Sequence, residues 1–424
     1  MEFSKLCICF ARWSSSNQMT ELVRLNRSRL HSTLRTASHK TWSLSEPLNL
    51  SFLKGLGTSQ LSARSYCASQ DRELSELRHS QPKESTRRTL HIPVMKDEVL
   101  QILNPQSGQV FLDMTFGAGG HTQSILETYP GVKVIALDRD PLAYRIGTEL
   151  QKYYGDRLIP VQGRFSEVED LLRDIGIEES SLDGALFDCG VSSMQFETAK
   201  RGFSLVRDGP LDMRMDWNRD PAKPTAADVV NHLNQQGLYE ILKKYGEEKK
   251  ARVIAQAIID ARYTYGKFKT TKELAQVVES VFMEGAYRKD KLMRHAHVAT
   301  KTFQALRIFV NDELNELYNG LEQVYKLLKP GTGRCVAISF HSLEDRIIKR
   351  HFHGIDIDTD KNMTVSDQMR LRSYGVSHSW DEMADIVESK WTPLSKRISL
   401  ASELEVHQNP RSRSAKLRAA IKTS

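Results

Sequence analysis

The sequence predicts an α/β fold in which a Rossmann-like sheet is interrupted by an inserted helical domain. Three features predict it. From about residue 91, short apolar runs bounded by turn residues alternate with stretches of helical spacing. The first of these runs passes directly into a glycine-rich turn, and the second ends in an acid. Between about residues 203 and 300 the alternation stops, and apolar residues recur only every three or four positions. The reading divides the 424 residues into a leader over 1–66, a linker over 67–90, a sheet domain over 91–202 and 301–424, and a helical domain over 203–300.

Composition excludes several classes. With 40% hydrophobic and 27% charged residues, neither wholesale disorder nor a collagen-like repeat is expected. No run approaches the ~18 apolar residues of a membrane-spanning helix, so no membrane partner is expected. Five cysteines without a Cys-x-x-Cys pair argue against a zinc ribbon or a disulfide scaffold, and no metal site is expected.

The net charge of +7 is lopsided. Nine Lys and Arg against three acids place +6 of it within residues 1–66. That segment is rich in Ser and Arg, with Leu and Val interspersed, which is the composition of a mitochondrial transit peptide. Arg64-Ser65-Tyr66 resembles a processing site, so cleavage near Tyr66 and a matrix location are expected; a disordered tail without an address is the alternative. Residues 67–90 are polar and charged and read as a linker.

The first strand is Val110 to Met114, followed by Thr115-Phe116-Gly117-Ala118-Gly119-Gly120-His121 and a helix to Tyr129. Glycines let a backbone approach a ligand closely. A second strand, Lys133 to Leu137, ends in Asp138, where a carboxylate can accept from a ribose diol. Leu158 to Val161 is a third strand, with Phe165 just beyond it, either on an adenine face or in the core. Gly184 to Phe187 is a fourth, ending in Asp188. In open α/β sheets ligands sit outside the carboxyl ends of the strands, so Asp113, Asp138, Phe165 and Asp188 are expected on one rim.

The dinucleotide fingerprint asks for a third glycine at 122, where this chain has Thr122. It instead has Asp113 four residues before Gly117, the Asp-x-x-x-Gly-x-Gly arrangement of S-adenosylmethionine (SAM) methyltransferases. The Asp113 carboxylate can meet the cationic amino-acid end of that cofactor. SAM is therefore expected rather than NAD.

Past residue 203, Val229, Val230, Leu233, Leu238, Ile241 and Leu242 recur at helical spacing, as do Val253, Ile254, Ala257 and Ile258. Thr270-x-x-Glu273 marks a capping box. Lys243, Lys244, Lys249, Lys250 and Arg252 form either a phosphate-contacting face or a solvated one. Phe303, Leu306, Val310, Leu314, Leu317, Leu321, Val324 and Leu328 predict one long amphipathic helix, stopped at Lys329-Pro330-Gly331. Cys335 to Ile338 is a central strand. Ser342 and Asp345 can cap the helix after it, and His341 either caps that helix or faces substrate. Cys189 and Cys335 read as buried thiols.

Several long motifs now stand together. Asp188-x-Gly190-Val191-Ser192-Ser193, Arg201-Gly202-Phe203-Ser204 and Gly209-Pro210-Leu211-Asp212-Met213-Arg214-Met215-Asp216 come first. Tyr245-Gly246-Glu247-Glu248, Phe303-Gln304-Ala305-Leu306-Arg307-Ile308 and Ser339-Phe340-His341-Ser342-Leu343-Glu344-Asp345-Arg346 follow in order, then Asn409-Pro410-Arg411-Ser412. Over about 91–353 and 403–420 the chain resembles the MraW/RsmH family of SAM-dependent methyltransferases, which modify N4 of a cytidine in small-subunit ribosomal RNA. With its leader it resembles the mitochondrial branch. The resemblance implies SAM contacts at Gly119, Gly120, His121, Asp138, Phe165, Asp188 and Gln195. It implies as partner the mitochondrial small-subunit (12S) ribosomal RNA or the assembling small subunit. There are departures: Cys189 stands where Leu is frequent, Met194 where Pro is, and His297-Val298-Ala299-Thr300-Lys301 replaces His-Pro-Ala-Thr-Arg.

The chemistry this implies is demanding, because the lone pair of an exocyclic cytosine amine is delocalised into the ring. Asp188 is the expected catalytic residue, an acceptor that holds the N–H and orients the nitrogen. The base must leave its stack to reach the pocket. Two other functions remain open from sequence: a ribosome-assembly factor whose methylation is incidental, and an NAD-dependent oxidoreductase, against which Thr122 and Asp113 argue.

Overall fold

A computed structural model describes residues 92–217, 219–282, 288–289, 295–355, 390–395 and 398–423. The segments read as a leader (1–66) and a linker (67–90), and most of the polar stretch after residue 354, lie outside the described residues. All described residues belong to one unit, residues 89–424.

The chain order runs α1 (Lys96–Leu103), β1 (Val110–Asp113), α2 (Gly120–Thr128), β2 (Lys133–Asp138), α3 (Pro141–Tyr154), β3 (Leu158–Gln162), α4 (Val168–Asp174), β4 (Gly184–Asp188) and α5 (Ser193–Glu197). Four helices follow: α6 (Ala226–His232), α7 (Gln235–Lys244), α8 (Ala251–Tyr265) and α9 (Thr271–Ser280). A short hairpin, β5 (Arg288–Lys289) with β6 (His295–Ala296), leads to α10 (Thr300–Asn311) and α11 (Glu313–Leu327). The end of the chain adds β7 (Arg334–Ser339), α12 (Ser342–Phe352), β8 (Trp391–Pro393), β9 (Ser399–Leu400), α13 (Glu403–Gln408) and β10 (Lys416–Lys422).

The main sheet has the order β3-β2-β1-β4-β7-β10-β8, with β9 also on β10. The first five strands are parallel, and β10 is antiparallel to β7 and β8. Helices cover both faces of such a sheet, so its strands can be apolar throughout. Accordingly Phe111, Leu112, Val134, Ile135, Leu137, Phe187, Val336 and Ile338 are buried. Each strand expected from its apolar run is present.

The helical stretch also forms where the spacing placed it. Val229, Val230, Leu238, Ile241, Leu242, Ile254 and Ile258 are buried, whereas Val253 of the same expected set is exposed. Thr270 caps α9 by accepting from the Glu273 N–H, while the Glu273 carboxylate accepts from the Thr270 N–H. α7 packs on α8 and on α10, and α8 on α9.

Two local expectations are corrected. The long amphipathic helix is broken: Asp312 lies between α10 and α11 at φ +52°, a left-handed conformation that Asp tolerates better than most residues. The neighbouring Asn311 supplies the reason, because its buried amide donates to Met213 O (2.7 Å) and accepts from Met215 N (2.8 Å). The helix stops where that amide serves a loop. Second, neither Ser342 nor Asp345 caps α12. His341 does, accepting from Glu344 N through Nδ1, while Ser342 donates to Glu247 (2.7 Å) and Asp345 accepts from Arg418 (2.7 Å).

A cavity at the sheet switch point

From β1 the chain winds outward one way through β2 and β3, and β4 and β7 lie on the other side. At this reversal, outside the carboxyl ends of β1, β2 and β4, a cavity of about 360 Å³ opens. Gly120, His121, Asp138, Phe165, Asp188 and Gln195 line it together.

Strand register explains which acids reach it. Asp113 pairs across β1 with Ala136 on β2 and Leu186 on β4. Asp138 and Asp188 therefore lie two residues farther along their strands, about 6.6 Å nearer the rim at ~3.3 Å per residue, with the same side-chain parity. The expectation that Asp113 shares the rim is corrected accordingly. It is buried beneath the turn, where it accepts from Thr122 Oγ1 (2.7 Å) and Thr115 N (3.0 Å), and it does not line the cavity. Thr122 thus stands where a dinucleotide site has glycine because its hydroxyl anchors Asp113. Thr115 passes the order upward, its Oγ1 accepting from the Asp188 N–H at 2.7 Å.

Gly119, like Asp113, is an expected contact absent from the cavity lining. It is the N-cap of α2 at φ +83°, and a Cβ there would lie 2.9 Å from the Phe116 ring. It shapes the turn that presents Gly120 and His121.

Asp138 accepts from Gly117 N (2.7 Å) and Asp140 N (2.8 Å). Burial, then the neighbouring Asp140 carboxylate, pushes its carboxyl up to about 7. Phe165 packs edge-on against Phe187 (5.5 Å between centroids) and against Gly320, where a Cβ would lie 2.8 Å from its own. Gln195 lines the cavity with an amide already engaged: its Oε1 accepts from Ser192 N (3.1 Å) and its Nε2 donates to Asp140 (2.8 Å). It holds the Ser192 turn in place.

Asp188 and His121 leave polar atoms without a hydrogen bond. Asp188 Oδ1 and His121 Nε2 are both buried and both unpartnered, and His121 Nε2 lies 3.7 Å from Asp188 Oδ2. Such groups are costly unless something completes them, which marks a site built to receive a polar ligand. An adenosyl cofactor fits this donor set: a carboxylate for a diol, an aromatic wall, and a glycine turn. Cys189 also lines the cavity, but burial and then the charges of Glu344 and Asp188 push its thiol up, so it is not a nucleophile at neutral pH. Cys189 and Cys335 are both buried and free, as expected.

A model of the MraW methylase family matches residues 88–423. The chain belongs to the MraW methylase family. It is 52% identical over 337 residues to "12S rRNA N(4)-cytidine methyltransferase METTL15" of Mus musculus, covering 78% of this chain and 82% of that protein. It is 50% identical over 356 residues to the Homo sapiens protein of the same name, covering 82% and 87%. It is 44% identical over 334 residues to "Ribosomal RNA small subunit methyltransferase H" of Parvibaculum lavamentivorans, covering 79% and 90%. One departure from the MraW pattern has a structural account: Lys301, in place of Arg, donates to Glu247 O at 3.0 Å. Among the five basic residues around Tyr245, Lys250 lies over Phe282 (4.3 Å) and Arg252 over Tyr239 (4.8 Å).

Sequence reasoning missed other residues of the cavity wall, Arg139, Ser193, Phe196, Arg307 and Phe340 among them. Arg307 did carry a signal. It follows Phe303 and precedes Asn311 at steps of four, a charge on the buried stripe of a helix.

Proposed function

We propose that this protein transfers the methyl group of S-adenosylmethionine to the exocyclic N4 of a cytidine in mitochondrial small-subunit (12S) ribosomal RNA, in the matrix, supporting small-subunit assembly and mitochondrial translation. The relatives named above support the substrate class, and the composition of residues 1–66 supports the location. The observation that carries the chemistry is the unpartnered Asp188 Oδ1 on the wall of a cavity at the sheet switch point.

The cofactor, when bound, supplies an electrophilic methyl on a sulfonium whose positive charge disappears in the transfer. In this reading Asp138 accepts from the ribose diol, Phe165 covers one adenine face, and the turn at Gly119, Gly120 and His121 closes on the cofactor's amino-acid end. Gln195 acts by fixing the Ser192 turn. Asp188 accepts the N4–H, orients the lone pair toward the methyl carbon, and takes the proton once the alkylated nitrogen has become acidic. Apolar wall residues such as Met114, Phe340 and Met215 keep water from the reacting atoms. The helices over 203–300 would receive the RNA.

Mapping N4-methylcytidine in mitochondrial small-subunit RNA, with and without this protein, tests the reading. Loss of one modified cytidine on its removal is expected; an unchanged map would overturn it.

Asp138 makes the cofactor site pH-dependent. A carboxyl raised to about 7 holds a proton that the unfolded chain releases near 4. Its contribution to stability is therefore complete at low pH and declines as pH rises through about 7. Diol recognition needs the ionised form, so the sign for binding is opposite. Affinity for SAM should rise from pH 6 to 7 and flatten above 8, with a proton released on binding at pH 6. Calorimetry in two buffers of different ionisation heat measures this, and Asp138→Asn should remove both effects.

A further inference from the structure

We propose that Arg307 reads the N3 and O2 acceptors of the target base and so selects cytosine over uracil; this rests on the cavity being a cytidine N4-methylation site. Arg307 shares the cavity wall with Asp188, Cys189 and Phe340. Glu313, six residues on across the break between α10 and α11, grips it on one edge: Nε donates to Oε1 and Nη2 to Oε2, both at 2.8 Å. Nη2 also lies 4.0 Å from Glu344 Oε1. Glu344 is itself fixed, accepting from Phe340 N (2.8 Å) and lying 2.9 Å from His341 Nε2.

Glu313, His341 and Glu344 come close enough together to resemble a cation site, with candidate ligand atoms within 4.8 Å of one another. The guanidinium that Glu313 grips supplies the positive charge there. Its other edge is free. Among the described residues no hydrogen bond reaches Nη1, so two N–H groups remain available on a rigid, permanently charged plane.

The complementarity is specific. Cytosine presents along one edge a donor (N4–H), an acceptor (N3) and a second acceptor (O2). A wall with an unpartnered acceptor at Asp188 Oδ1 and free donors at Arg307 matches that order. Uracil presents acceptor, donor, acceptor, so its O4 would face the carboxylate and its N3–H the guanidinium. Both are repulsive, and a buried polar site that is left unpaired discriminates strongly.

The test uses the full chain and two small-subunit RNA fragments, identical except that the target base is cytosine or 3-deazacytosine, which has C–H in place of N3. Single-turnover methyl transfer is measured for the wild type, Arg307→Lys and Arg307→Gln. Removing one hydrogen bond to a charged donor should slow the wild type about 10–100-fold on the deaza RNA, beyond the change seen in the variants. The difference in intrinsic reactivity of the two bases cancels in that comparison. SAM affinity, read by calorimetry, should stay within threefold of wild type. If the variants show the same cytosine-to-deaza ratio as the wild type, the assignment is overturned. If the Arg307 variants fail to fold, Glu313→Gln, which keeps the guanidinium but loosens its clamp, should shrink the ratio; an unchanged ratio there also overturns it. A wild type that methylates neither RNA would instead overturn the cytidine reading beneath it.

Discussion

Asp188→Asn should lower the rate of methyl transfer to cytidine by about a thousandfold, within the ~10²–10⁴ range for losing a positioned proton acceptor. The substitution removes charge and basicity while keeping shape. The backbone of residue 188 should not move, because its N–H donates to Thr115 Oγ1 and β4 stays in register with Ile338 of β7. The carboxylate is 19% exposed and its Oδ1 makes no hydrogen bond, so little internal structure depends on it. The melting temperature should therefore shift by no more than a few degrees. SAM affinity is expected to fall less than turnover, because Asp138 and Phe165 remain. Methylation within threefold of wild type would remove Asp188 from the chemistry. Restoration of small-subunit assembly by this variant would favour the assembly-factor reading over an obligatory methylation.

The cavity wall was legible in the sequence wherever an apolar run ends in an acid at the rim. Asp138 and Asp188 each close an apolar run, and that run is a local signal. The depth of Asp113 was not legible, since it depends on how β1 registers against β2 and β4, and no run of neighbouring residues encodes that. The break at Asp312 escaped for a related reason. A single left-handed residue barely disturbs the spacing of apolar positions, and its cause, the hold of Asn311 on Met213 and Met215, spans nearly a hundred residues. β10 is an antiparallel strand added after the last helix, joined to β7 by long-range pairing. Its run of Lys416, Leu417, Arg418 and Ala419 does alternate, but Ala419-Ala420 breaks the alternation, and Lys416, Arg418 and Lys422 make the strand basic.

Asp216→Asn should cost the fold about 3–5 kcal/mol, the range for breaking a buried charge cluster by removing one partner. Asp216 is fully buried. Its Oδ2 accepts from Arg139 Nη2 (3.1 Å), Arg164 Nε (3.1 Å) and Arg164 Nη2 (2.7 Å), and Lys223 Nζ lies 3.5 Å from Oδ1. Burial alone would raise this carboxyl, but Arg139 and Lys223 drive it far below the usual carboxylate range. The depressed value means that its stabilisation is complete above about pH 4 and fades as pH falls further. Lys223 runs the other way. Burial and then the charge of Arg139 lower it to about 8, so the unfolded chain binds more protons between about pH 8 and 10, and stability from this group rises with pH there. Without Asp216, three cations face one another and Lys223 loses its proton more readily. The gap between variant and wild type should consequently be widest near pH 6–7 and narrow above pH 8. Thermal melts across pH 5–9 measure this. The loss also reaches the site, because Arg139 follows Asp138 and lines the same cavity, so SAM binding should weaken in the variant even at temperatures where it remains folded. A pH-independent gap would show that the cluster stabilises through packing rather than charge.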